Sequence, residues 1–153
     1  MGLCCSRIDW KPKDLLFRNY DDSNTEKWIP PISRVKVISV YDGDTITIVA
    51  RISGKPYQFK CRLARIDCAE IRGSSPGEKK VAIEAKDALS SKIMGKMITL
   101  NDIKFEKYGR LLCEIYYKDQ NINNWMLTER YAVEYFGKTK KKVDWSRYRQ
   151  RMP

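Results

Sequence analysis

From Arg34 the chain turns to β-branched and aromatic residues in alternation, first Val35, Val37, Ser39 and Tyr41, then Thr45, Ile46, Thr47, Ile48 and Val49. A period of two is the signature of strands with one face in a core, and Asp42-Gly43 between the two runs is a dipeptide that favours a hairpin. Ser53-Gly54 marks a second turn, leading to a third strand over about 57–66. The period then changes. Ser75-Pro76-Gly77-Glu78 has the form of a capping box with Pro at the first helical position, and Val81, Ala85, Ala88, Leu89 and Ile93 recur at helical spacing up to Gly95. Segments 97–105 and 110–117 read as two further strands around the turn Lys107-Tyr108-Gly109, and Trp125, Met126, Leu127 and Tyr131 suggest a short second helix.

The order β-β-β-α-β-β-α, with the helix between strands three and four, is the layout of a five-stranded OB-type barrel. The expected class is therefore a β-rich α+β fold with two to three helices. Residues 1–31 balance five basic against five acidic groups and end in Pro30-Pro31, which reads as an extended arm with a stiff exit. Residues 32–137 would form the barrel domain, and residues 138–153 a basic tail.

Composition narrows the chemistry. At 153 residues, 42% hydrophobic and 32% charged, one globular domain is expected. Thirty Lys and Arg against 19 Asp and Glu give a formal charge of +11, which favours polyanionic partners. More than half of that charge, +6, lies in the last 16 residues, where Lys138, Lys140, Lys141, Lys142, Arg147, Arg149 and Arg151 face only Asp144. Histidine is absent, which excludes Ser-His-Asp and Cys-His nucleophiles and His-ligated zinc. Five cysteines without a C-x-x-C pair signal neither a disulfide framework nor a zinc ribbon and fit a reducing compartment. No run approaches the roughly 18 apolar residues of a membrane span, and the start lacks the apolar core of a secretory signal.

Three segments stand out on this strand scheme: Asp42-Gly43-Asp44-Thr45, Arg62-Leu63-Ala64-Arg65-Ile66-Asp67-Cys68-Ala69-Glu70, and Lys107-Tyr108-Gly109-Arg110. Each alone reads as a turn or a loop with solvated charges. Together, and in this order, they resemble the staphylococcal nuclease (thermonuclease) family over about 35–136. That resemblance implies an OB-fold, calcium-dependent phosphodiesterase that cleaves DNA and RNA to 3′-phosphate and 5′-hydroxyl ends, with magnesium the less favoured ion. It implies Asp44, Asp67 and the main-chain carbonyl of Cys68 as calcium ligands, and Glu70 as the acid that holds the attacking water. Arg62 and Arg110 would grip the scissile phosphate, and Lys107 with Tyr108 would contact its neighbour.

The residue types suit that chemistry on their own terms. Carboxylate oxygens are the hard ligands calcium prefers. Asp44, Asp67 and Glu70 against Arg62 and Arg110 leave the pocket at −1, which repels phosphate, and one divalent ion makes it +1. Planar guanidiniums answer charge on phosphoryl oxygens with paired hydrogen bonds that Lys does not supply. A Glu serves as general base because it need only orient and deprotonate a water.

Departures from the family pattern are local. Asp67-Cys68-Ala69-Glu70 lacks the usual proline, which predicts a less preorganised Glu70 loop, and Cys68 puts a potentially reactive thiol at the site. Glu106 stands where Asp is common, and no clear tyrosine pair is assigned around Tyr135 and Phe136. Cys61, Cys113, Trp125 and Met126 read as core residues.

Met1-Gly2-Leu3-Cys4-Cys5-Ser6 fits the pattern for N-myristoylation at Gly2, with Cys4 and Cys5 as palmitoylation sites beside it. The expected partners are DNA, RNA and an anionic membrane met by an acylated amino terminus on its cytoplasmic side. A monomer is expected and no protein partner is implied. The competing expectations are a non-catalytic nucleic-acid-binding module of the same fold and a membrane-tethered adaptor.

Overall fold

Strand β1 (Arg34–Val40) runs into β2 (Thr45–Ile52) and β3 (Lys55–Leu63) as an antiparallel meander in a computed structural model that describes residues 11–73, 75–137, 139–140 and 142–150. Ser53 and Gly54, at φ 50° and 81°, form the two-residue turn between β2 and β3, matching the twist of the flanking strands. A short β4 (Ile66–Cys68) follows, then α1 (Pro76–Ile93), β5 (Met97–Phe105) and β6 (Leu111–Tyr117). The remaining elements are β7 (Gln120–Asn121), α2 (Ile122–Thr128), β8 (Ala132–Glu134) and α3 (Trp145–Gln150).

The barrel closes through β1 and β5, β5 and β6, and a parallel pairing of β6 with β3 at Cys61↔Leu111, Arg62↔Leu112 and Leu63↔Cys113. This is the expected five-stranded OB-type barrel. Its interior takes the inward residues of every strand, among them Val37, Ile46, Ile48, Leu63, Ile98 and Ile115, and α1 covers one end with Ala85, Leu89 and Ile93. The capping box holds as expected at its Ser75 end, whose Oγ accepts the Glu78 N–H at 3.1 Å. Cys61, Cys113 and Met126 are fully buried and Trp125 packs partly against the core, as read from the sequence.

Four local readings change. The third strand does not run to residue 66: it stops at Leu63, because Arg65 adopts a left-handed φ of 63° and turns the chain, so that β4 leaves the barrel ladder and pairs with β8. Gly43 is not in the left-handed conformation of an Asp-Gly hairpin. A Cβ there would stand 2.8 Å from Cys68 Sγ and 3.0 Å from Ala85 Cβ, so this glycine serves close packing of the β1–β2 loop on β4 and α1. The arm is not wholly extended either, since Pro12–Phe17 forms a 3₁₀ helix with Pro at its first position. The acylation motif, residues 1–6, lies outside the described residues.

The fourth change concerns the basic tail, whose described residues include α3 docked on α1. Trp145 is buried with Ala69, Val81 and Ala82 in a second small apolar cluster. Tyr148 Oη donates to the Ala132 carbonyl at 3.0 Å, and Arg149 donates to the Glu129 carbonyl at 2.9 Å and pairs with Glu84. Among the described residues no helix is long and apolar enough to cross a membrane.

Asn123 on α2 ties the turn after β3 to the barrel. Fully buried, it accepts the Ile115 N–H at 3.0 Å and donates to the carbonyls of Ala64 and Cys113 at 2.9 and 3.2 Å. Asn123→Ala would strand a buried donor and an acceptor, and is expected to lower unfolding free energy by about 3 kcal/mol in urea titrations; a loss below about 1 kcal/mol would show that the turn is held without it.

Candidate active site

The β1–β2 loop is built around carboxylates. Asp42 accepts the Asp44 N–H at 3.1 Å, an Asx-type turn that points the chain back into β2, and Thr45 Oγ1 donates to Asp44 Oδ1 at 2.9 Å. Asp44 is only 4% exposed. Burial pushes its carboxyl up to about 7, although the Arg62 guanidinium pulls the other way. Arg62, at the end of β3, reaches both aspartates: Nη1 lies 2.8 Å from Asp44 Oδ2 and Nη2 lies 2.9 Å from Asp67 Oδ1, with a longer bond to the Ile66 carbonyl. These contacts offset its desolvation and hold its pKa above the ordinary value.

Asp67 reaches this pair because Arg65 turns the chain and β4 carries it inward beside β8. Three residues on, Glu70 lies on the exposed rim of the same loop. Lys140 bridges the two acids, with Nζ 3.0 Å from Asp67 Oδ1 and 2.9 Å from Glu70 Oε1. The hydrogen bond from Lys140 and its charge hold Glu70 below the usual carboxylate range, so Glu70 is ionised at neutral pH. On the opposite wall, Arg110 Nε pairs with Glu106 Oε1 across the turn that Gly109 makes at φ 76°. Lys107 lies 4.9 Å above the Tyr108 ring, and Tyr108 is well exposed.

All eight residues proposed to bind or react, Asp44, Arg62, Asp67, Cys68, Glu70, Lys107, Tyr108 and Arg110, line one cleft of about 1080 Å³. Sequence reasoning missed three of its features. Tyr135 and Phe136, left unassigned, both line it, and the Arg62 guanidinium lies 6.0 Å from the Tyr135 ring centre. Lys140 belongs to the basic tail, where no local signal places it at the acids. Glu106, a departure from the family pattern in the sequence, holds Arg110 in the structure. The thiol of Cys68 is not activated: burial and the neighbouring aspartates push its pKa up, and it packs against Gly43.

Among the described residues no three Asp, Glu or Cys side chains group around one point as ligands. Arg62 gathers Asp44 with Asp67, and Lys140 gathers Asp67 with Glu70. The donor chemistry fits a hard divalent cation, since every side-chain oxygen that these cations hold is a carboxylate oxygen and a shared cation already bridges each neighbouring pair of acids.

The family described as staphylococcal nuclease homologue matches residues 60–151. That stretch takes in Arg62, Asp67, Glu70, Arg110 and Lys140 and begins after Asp44. A Haemophilus influenzae protein described as an uncharacterized endonuclease is 32% identical over 100 residues, 65% of this chain and 51% of that protein. The chain thus spans about half the length of the curated relative it matches.

The buried Asp44 has a consequence for stability. Its carboxyl stays protonated in the folded chain at pH values where the unfolded chain, at the ordinary 3.8, has lost the proton, so rising pH favours unfolding. With chelator present, wild-type stability is expected to fall relative to Asp44→Asn between pH 3.8 and about 7 and to run parallel above. A flat difference curve across that window would remove the raised carboxyl.

Proposed function

The chain belongs to the staphylococcal nuclease homologues, which match more than half of its length, and on that premise we propose that its cleft hydrolyses phosphodiester bonds of DNA and RNA with a divalent ion, calcium before magnesium. The observation that carries this reading is the convergence of two arginines, three carboxylates and the Lys107-Tyr108 pair on one cleft. Asp44, Asp67 and the Cys68 carbonyl would hold the ion. Bound there, it would neutralise the acids and withdraw charge from a phosphoryl oxygen.

The residues divide the remaining work. Arg62 and Arg110 exchange their carboxylate partners for the non-bridging oxygens of the scissile phosphate, where planar guanidiniums match charge that grows in the transition state. Glu70, on the rim where water enters, orients that water and takes its proton. The P–O5′ bond breaks, the 5′ oxygen is protonated by solvent, and the strand is left with a 3′-phosphate. Lys107 and Tyr108 hold the adjacent phosphate, and the exposed faces of Tyr108 and Phe136 offer stacking surfaces for bases.

A plasmid-nicking assay with calcium, magnesium or chelator tests the reading. Cleavage is expected only with a divalent ion. Glu70→Gln is expected to lower turnover by about 10² to 10⁴ with DNA affinity little changed, and Arg110→Lys by about 10². Folded protein that binds DNA but cleaves it with neither calcium nor magnesium would instead make this a binding module.

The same proposal places the enzyme on the cytoplasmic face of a membrane. Its support is the Gly2, Cys4 and Cys5 motif, followed by an arm whose Leu16, Phe17 and Trp28 are 80%, 63% and 62% exposed. One myristoyl chain binds only marginally, and acylated cysteines or inserted aromatic side chains supply the second hold. In a eukaryotic cell the wild type is expected in the membrane fraction and Gly2→Ala in the soluble one; identical fractionation would end the lipid reading.

A further inference from the structure

Lys140 comes from far along the chain to the two acids that flank the reacting position. Its ammonium lies 3.0 Å from Asp67 Oδ1 and 2.9 Å from Glu70 Oε1. Asp67 Oδ1 is also the atom that Arg62 Nη2 holds at 2.9 Å, so Lys140 completes a chain of alternating charge: Asp44, Arg62, Asp67, Lys140, Glu70.

The connection on either side keeps the ammonium near these acids. β8 ends at Glu134, paired to the β4 strand that carries Asp67, and α3 begins at Trp145, buried against α1. Only ten residues, 135–144, join the two anchors. Gly137, at φ 78°, turns this connection back across the cleft, which Tyr135, Phe136, Gly137 and Lys140 all line. A group tethered so briefly at both ends acts at a high effective concentration. Its side chain is about half exposed, so it is held by two ion pairs and not by packing, and it is free to leave.

A divalent ion held by Asp67 and this ammonium want the same carboxylate. A calcium–oxygen distance of about 2.3–2.6 Å on Asp67 leaves no room for an ammonium hydrogen-bonded to the same carboxylate oxygen, which Lys140 holds at 3.0 Å. We propose that Lys140 is an intramolecular competitor of the metal, occupying the acid pair in the metal-free protein and leaving it when a divalent ion binds. The proposal rests on the reading of Asp44, Asp67 and the Cys68 carbonyl as the cation-binding set. Its effect is to weaken apparent metal affinity by the fraction of time that Lys140 is in place, so that the site is filled only above a threshold of free ion. Displaced, the ammonium remains over the cleft mouth, where a phosphate of the incoming strand is its next partner.

Calorimetric titration of the full-length protein with calcium and with magnesium, without nucleic acid, tests this. Lys140→Gln is expected to bind the ion about tenfold more tightly, and Lys140→Arg to stay near wild type. Lys142→Gln removes the same charge two residues on and is expected to shift affinity less than about twofold. Equal affinities for Lys140→Gln and Lys142→Gln would overturn the competitor role and leave the nuclease reading standing. Tighter binding by Lys140→Gln in a protein that cleaves no nucleic acid would do the reverse. If neither wild type nor any variant takes up either ion, the cation-binding set fails and the competitor fails with it.

Discussion

The parallel pairing of β3 with β6 is the constraint on which the molecule turns. Three register pairs, Cys61↔Leu111, Arg62↔Leu112 and Leu63↔Cys113, join strands about fifty residues apart and convert a curled sheet into a barrel. Closure removes the two sheet edges and encloses the apolar interior. It also decides where charge goes. The end of β3 carries Arg62 and the start of β6 follows Arg110, so the same pairing that seals the core brings two guanidiniums to one mouth.

Charge at that mouth is arranged to be exchanged. Asp44 is buried deeply enough that its carboxyl is pushed up to about 7, and Arg62 is the neighbour that makes its ionised form tolerable. Glu70, by contrast, is on the rim and readily ionised. Arg110 is held by Glu106, Arg62 by two aspartates, and Lys140 by Asp67 and Glu70. Arg62, Arg110 and Lys140 thus each already have an anionic partner in the protein. The site is preorganised by its own ion pairs, and ligands act on it by substitution of partners, which costs less rearrangement than ordering free side chains.

Around this mouth the small elements act as a frame. Asn123 fixes the turn after β3 through three buried hydrogen bonds, β8 holds β4, and α3 seats Trp145 under Ala69, next to Glu70 in the chain. Gly43 lets the Asp44 loop lie directly on Cys68. The absence of a proline before Glu70 is thus met by packing from below, where Ala69 is buried between α1 and α3.

Periodicity by itself determined the strands of the barrel, the bounds of α1 and the capping at Ser75, because each depends on spacing within a few residues. The candidate chemistry was legible through resemblance: Asp44, Arg62, Asp67, Glu70 and Arg110 sit in short segments that each read alone as a turn or a loop and only together, in this order, resemble the staphylococcal nuclease family. What tertiary structure alone decided was contact between distant segments. Arg65 leaving the ladder depends on β8 being present to receive β4, Gly43 answers to Cys68 and Ala85, and the tail helix forms where Trp145 finds α1. Lys140 is the clearest case. Within its own stretch it is one of several lysines facing a single acid, and it becomes part of the site only because the chain between two anchors, β8 and α3, brings its ammonium to Asp67 and Glu70.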